Sequence, residues 1–245
     1  MDIAPRAASA APSPQRYARM GGLLYLIIIV AGLSGELFMR GPMIASGNAA
    51  ATAGHIVSDP TVWRVSLAGD LVMHLCDVGV MLVFYVLLRP VSQNLAFAAV
   101  LFNLIQTAVA VANKMNLMVP LFLLGDANYL QAFTLEQRQA LSYVSIRTHD
   151  YGFGVALVFF GFECLVVGYL IIRSGYLPRT LGYLMQIAGS CYLVNSFALI
   201  LAPTVSSRLF PAILLPPFVA ELSMALWLLL KGVNVAKWEQ RTGMA

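Results

Sequence analysis

Charge is what this sequence has least of. Only 11% of its 245 residues are Asp, Glu, Lys or Arg, where a soluble domain carries roughly 25%. A water-facing surface cannot be built from so few charges. With 60% hydrophobic residues and a mean hydropathy of +0.79, the missing solvent is lipid. Cysteine is equally sparse. Cys76, Cys164 and Cys191 lie singly inside apolar segments and form no CxxC pair, which excludes a disulfide framework and leaves them as small buried hydrophobes. No GxSxG, HExxH or Walker-type loop occurs, so the signatures of serine hydrolases, zincins and P-loop enzymes are absent. Runs of basic residues are missing too. Despite a net charge of +4, Lys and Arg sit one at a time at the ends of apolar segments, a pattern of membrane topology rather than of a nucleic-acid-binding face.

What is present is six long apolar runs, over 21–39, 65–88, 95–124, 151–172, 180–202 and 209–231. Each is long enough to cross a hydrocarbon core of ~30 Å at ~1.5 Å per residue. The Ala/Pro/Ser-rich residues 1–17 read as a disordered tail. The first run is too long for a signal peptide, and its nearest small-residue cluster lies too far beyond it, so it reads as a retained helix. Between the third and fourth runs, TLEQRQAL reads as a short interfacial helix, with Thr134 as its cap and Gln137 three residues on. The fold class is therefore an all-α integral membrane protein: a single six-transmembrane-helix bundle over 18–234, followed by a tail over 235–245. Placing the N-terminus in the cytoplasm puts nine Lys and Arg residues on that side and five on the other, which predicts both termini inside. Tyr85 to Arg89 and Tyr169 to Arg173 echo one another; this is either a parallel repeat of helix pairs or two ordinary headgroup anchors.

The polar residues within the runs carry the functional information. At ~100° per residue, Ser66, Asp70, His74 and Asp77 fall on one helical face, so both acids are placed to approach His74. The third run has its own stripe, with Asn103, Gln106, Asn113 and Lys114. The fourth opens with His149-Asp150 and holds Glu163; the fifth holds Asn195 and the sixth Glu221. Asp77, Glu163 and Glu221 each lie 12 residues from the outer end of their run, roughly 18 Å down and near the midplane. These placements predict a polar cluster reaching from the outer face to mid-membrane above a dry inner half. Lys114, the only Lys in a span, is expected at the level of His74 and Asp77, paired with Asp77, Glu163 or Glu221. Pro216 and Pro217 free the carbonyls of Ala212 and Ile213; a kink there, just before Glu221, either builds a binding site or is a packing device whose freed carbonyls neighbouring groups satisfy.

The segments ARMGGLLYLIIIVAGLSGELF, DLVMHLCDVGVMLVFYVLLRPV, YGFGVALVFFGFECLVVGYLIIRSGYLPRTLG and PPFVAELSMALWLLLKGVN resemble the bacterial Domain of Unknown Function 4386 membrane proteins. The resemblance covers nearly everything after residue 17. It implies a six-helix protein of the bacterial inner membrane in which Asp70, Asp77 and Glu221 occupy usually acidic positions, while Lys114 and His74 depart from the pattern. It implies no activity.

The function read from the residues is binding or transport of a small cation, proton or small molecule at a carboxylate cluster open to the outer side. Its ligand-binding residues are Asp70, His74, Asp77, Lys114, Asp150, Glu163, Asn195 and Glu221. The alternatives are a structural or partner-binding membrane protein without its own activity, and an intramembrane metal-dependent hydrolase. The hydrolase would build on the DxxxHxxD pattern of the second run, with His149, Asp150, Glu163 or Glu221 completing a ligand set. Three histidines in all are few for such a centre, so neither a metal nor a cofactor is expected and an enzyme is the weaker reading. The expected partners are membrane lipids and the small cation or molecule; nucleic acid is not among them.

Overall fold

The structure, a computed structural model, describes residues 13–243, so residues 1–12 of the expected tail lie outside the described residues. It is helical, with no strand among the described residues. Helix α1 (Pro14–Leu33) begins inside the expected tail and runs on through a π-helical segment (Ser34–Arg40) and one 3-10 turn. A short helix, α2 (Ala49–Ser58), is capped by Asn48; α3 (Pro60–Leu88) follows, capped by Asp59 and opened by Pro60. In both caps a side-chain oxygen takes a first-turn N–H that the helix itself leaves unpaired. Helices α4 (Gln93–Asn113) and α5 (Met115–Leu123) form the third span, interrupted at Lys114.

Helix α6 (Leu135–Ser174) carries the predicted Thr134/Gln137 capping box at its start. The stretch expected to lie along the interface is helical, and it runs without a break into the fourth span. Forty residues give a helix of ~60 Å, about twice the hydrocarbon thickness, so α6 projects well beyond the bundle. Helices α7 (Arg179–Leu201), α8 (Pro203–Leu209) and α9 (Leu215–Leu230) complete the spans, and α10 (Val235–Thr242) ends the chain. The sixth span contradicts the expected kink. Pro216 and Pro217 stand in the first turn of α9, where their missing N–H groups would be unpaired in any helix.

Helices α1, α3, α4, α6, α7 and α9 pack in a closed ring in that order, with α9 returning to α1. The Gln15 side chain closes it at one end, donating to the Lys231 carbonyl (2.9 Å) and accepting from the Val233 N–H (3.1 Å). We call this the terminal face and the opposite end the distal face. Residues 235–242 do not hang free as a tail there. Trp238 is buried, and its indole N–H shares the Leu87 carbonyl with the Tyr176 hydroxyl, satisfying a carbonyl that the end of α3 leaves open.

The ring is polar inside and apolar outside. On α3, Asp70 and His74 are buried while Leu71, Val72, Leu75, Val78 and Leu82 are exposed, the reverse of a soluble helix and the pattern required when the solvent is lipid. A close glycine seam joins α6 and α7. Gly161 and Gly168 face Gly189 and Gly182, so close that a methyl on Gly189 would lie 2.6 Å from the Gly161 carbonyl oxygen. Small residues permit such approach, and dispersion across it holds membrane helices together.

Apolar packing divides in two. The main core fills the terminal half of the ring, with Leu87, Leu88, Leu170, Ile171, Leu181 and Leu228. A second core of Met43, Ile56, Trp63, Leu67, Leu117 and Ile146 lies beneath α2 in a distal cap.

Candidate functional site

Two polar layers occupy the ring, one between the two apolar cores and one at mid-depth. The distal layer centres on Asp70, only 2% exposed. One of its oxygens, Oδ2, lies 2.7 Å from Arg40 Nη1 and 2.8 Å from Lys114 Nζ. Arg40 extends to Glu36 (3.1 Å) and toward Ser66 (3.4 Å), and Lys114 lies 3.3 Å from His149 Nε2. Lys114 therefore does not pair with Asp77, Glu163 or Glu221.

Local backbone geometry explains the difference. The chain is interrupted at Lys114, and the interruption is fixed from α6: the Asn113 amide donates to the His149 carbonyl (2.8 Å) and accepts from Asn116 (2.9 Å). Pro120 has no N–H for the Asn116 carbonyl; the Ser145 hydroxyl supplies that bond instead. Arg40 closes the π-helical segment of α1, a helix irregularity common at functional sites. Both cations thus come from irregular points in their spans and meet on one carboxylate.

The mid-depth layer draws at least one polar residue from each helix of the ring, and two from α4. Asp77 (α3), Glu163 (α6), Glu221 (α9) and Tyr25 (α1) line a single cavity of about 30 Å³. Asn103 (α4) donates to Asp77 Oδ1 (3.3 Å) and Glu163 Oε2 (3.2 Å), and the Thr107 hydroxyl donates to Asp77 Oδ2 (2.8 Å). Tyr192 (α7) donates to Glu221 Oε1. Counted from Arg89, Arg173 and Lys231 at the terminal face, the three acids lie roughly 15–18 Å deep, near the midplane as their sequence positions imply. Among the described residues no Lys, Arg or His side chain forms an ion pair with any of the three.

Among the described residues, two other expected members make no bond to Asp70 or to the three cavity acids, although Asp150 lies 3.9 Å from His149 Nδ1 at the edge of the distal layer. Asp150 is half-exposed and pairs with Arg147 at 2.7 Å, three residues away on α6. Asn195 is buried, but among the described residues its Oδ1 has no hydrogen-bond partner, nor has the Oγ of Ser196 beside it. His74 is buried on the expected face, yet it bonds to neither Asp70 nor Asp77: among the described residues both ring nitrogens lack a partner. No three His, Cys, Asp or Glu side chains among the described residues gather as metal ligands would, so the set required by the hydrolase reading does not assemble.

Sequence reading missed Arg40, Tyr25, Thr107 and Tyr192. Arg40 closes an apolar run, as any stop signal does. The tyrosines sit in apolar runs whose patterning gives no hint that their hydroxyls turn inward.

Comparison with other proteins places the chain. An uncharacterised protein of Archaeoglobus fulgidus is 28% identical over 178 residues, covering 73% of this chain and 89% of that relative. No solved structure matches. The model of the family described as Domain of unknown function (DUF4386) matches residues 20–232, which take in almost the whole ring, and the chain belongs to that family.

Proposed function

We propose that this multi-pass membrane protein binds protons at the Asp77–Glu163–Glu221 cavity and carries them between that cavity and the distal face, its termini lying on the cytoplasmic side of the plasma membrane. The observation that carries the reading is a charge imbalance. The in-span cations Arg40 and Lys114 are both committed to Asp70, and the three acids of the cavity are left with neutral donors only.

The Asn103 amide spans Asp77 and Glu163, so their nearest oxygens are within about 6.5 Å of one another. Two full charges at that separation repel by about 2.5 kcal/mol at an effective dielectric of ~20. Each adds the cost of an ion in the membrane interior, from ~2.5 kcal/mol upwards. Bound protons remove both terms. A cavity of about 30 Å³ holds one or two waters at ~10–15 Å³ each, which suits a hydrated proton and excludes an organic substrate.

The test is proton flux into liposomes containing the purified protein, driven by a potassium diffusion potential and read by an entrapped pH dye. Flux above that of empty liposomes is expected, with loss in Glu163→Gln and in Glu221→Gln. Wild-type flux equal to that of empty liposomes overturns transport. Flux that depends on sodium or another cation in place of protons replaces the proton with that ion.

A further inference from the structure

His74 stands on α3 between Asp70 of the distal layer and Asp77 of the cavity, and no hydrogen bond among the described residues accounts for its burial there. It is 4% exposed, and among the described residues neither Nδ1 nor Nε2 has a hydrogen-bond partner. Burying a polar group without a bond costs roughly 1–3 kcal/mol, and a leucine would fill the place without that cost. On α3 it stands four residues from Asp70 of the distal network and three from Asp77 of the cavity, rises of ~6 Å and ~4.5 Å on the same helical face. Side chains at these spacings are neighbours, and because neither imidazole nitrogen bonds to either acid directly, one bridging water on each side would complete the path. Lys114 and Asp70 are the charged groups that bear on it from the distal side.

We infer that His74 is the relay through which protons pass between the distal network and the mid-depth carboxyl cavity. A neutral imidazole carries one N–H and one bare nitrogen. The bare nitrogen takes a proton from a hydrated proton on the distal side, leaving neutral water, and the other nitrogen gives its proton through the second water to the ionised Asp77 carboxylate, leaving it protonated. The ring is left as the opposite tautomer and resets by rotating about its Cβ–Cγ bond. Bonds formed and broken balance, and no net charge stays on the ring. A partner fixed to either nitrogen would oppose that rotation; the unpartnered ring permits it. The relay rests on the proton-binding reading of the cavity and specifies its route.

The experiment separates the two. Purified full-length protein is moved rapidly from H₂O into D₂O, and the C=O stretch of protonated carboxyl groups is followed by infrared spectroscopy. Wild type should show a carboxyl band that is lost in Glu163→Gln and shifts promptly on deuteration. In His74→Leu and His74→Gln the band should remain while its deuteration slows by about 100-fold, the scale of a positioned acid–base group. Thermal unfolding confirms that both variants fold, and His74→Gln serves if the leucine variant does not. A band that persists and exchanges at the wild-type rate in both variants overturns the relay and leaves the proton site standing. Absence of any carboxyl band assignable to the cavity in wild type overturns the proton site and the relay with it.

Discussion

Asp70 accepts from two cations that reach it from different spans, so the three residues are unequal in what their removal does. Among the described residues, Asp70→Asn leaves Lys114 without an acidic partner and Arg40 with only the exposed Glu36, and the loss should reach the ~3–5 kcal/mol typical of a broken buried pair. Lys114→Met leaves Asp70 still held by Arg40 at 2.7 Å and should cost less. In thermal unfolding in detergent, Lys114→Met and Asp70→Asn should couple by roughly 0.5–3 kcal/mol, while Lys114→Met with Glu163→Gln or Glu221→Gln should be additive. Coupling to Glu163 as large as that to Asp70 would sink the pairing. Residue positions along the chain placed the three cavity acids at mid-depth and put His74 and Asp70 on a buried face, because burial follows helical period and span boundaries. They did not yield the partner of Lys114. That partner depends on the interruption after Asn113, which is held by bonds to α6 that no local pattern announces.

Among elements, the α6–α7 seam and α2 predict opposite responses to the same added methyl. At Gly189 a Cβ would meet the Gly161 carbonyl oxygen, and at Gly161 it would meet the Leu193 side chain at 2.8 Å. Gly161→Ala and Gly189→Ala should therefore each destabilise by about 1–3 kcal/mol, as overpacking does. Gly54 sits mid-helix in α2 with nothing within 4 Å of a new Cβ, and Gly54→Ala should stabilise by roughly 0.5–1 kcal/mol. A Gly189→Ala protein as stable as wild type in the same unfolding assay would refute the close seam. Span boundaries and the Thr134 capping box were readable in advance because local chemistry sets them. The seam was not. Gly154, Gly161, Gly168, Gly175, Gly182 and Gly189 recur every seven residues, but that spacing becomes a contact only once α6 and α7 are antiparallel neighbours in register. Pro216 and Pro217 show the converse: the same residues serve a kink or a helix start, and only the observed start at Leu215 decides between them.

At the scale of the whole molecule, charge is layered along the ring axis, and that layering predicts an orientation. The sequence assigns nine Lys and Arg residues to the terminal side, and eight of them stand there among the described residues: Arg16, Arg19, Arg89, Arg173, Arg179, Lys231, Lys237 and Arg241. Arg40, counted from sequence with the distal loops, is buried against Asp70, so four basic residues remain in the distal loops and helix ends: Arg64, Arg138, Arg147 and Arg208. The structure thus widens the asymmetry from nine against five to nine against four. An excess of Lys and Arg tends to stay on the cytoplasmic side during insertion, which predicts the dry, leucine-filled half of the ring inward and the Asp70 network and distal cap outward. In that predicted orientation the cavity would be reached from outside, since the apolar core lies between the three acids and the terminal face. Single cysteines on a cysteine-free background test it. Asn128→Cys, in the exposed 3-10 segment of the distal cap, should react with a membrane-impermeant maleimide in intact cells. Lys237→Cys, on the exposed side of α10, should react only after the membrane is opened. Labelling of Lys237→Cys alone in intact cells would invert the molecule. The cavity would then open toward the cytoplasm, and the direction of proton access proposed above would be reversed.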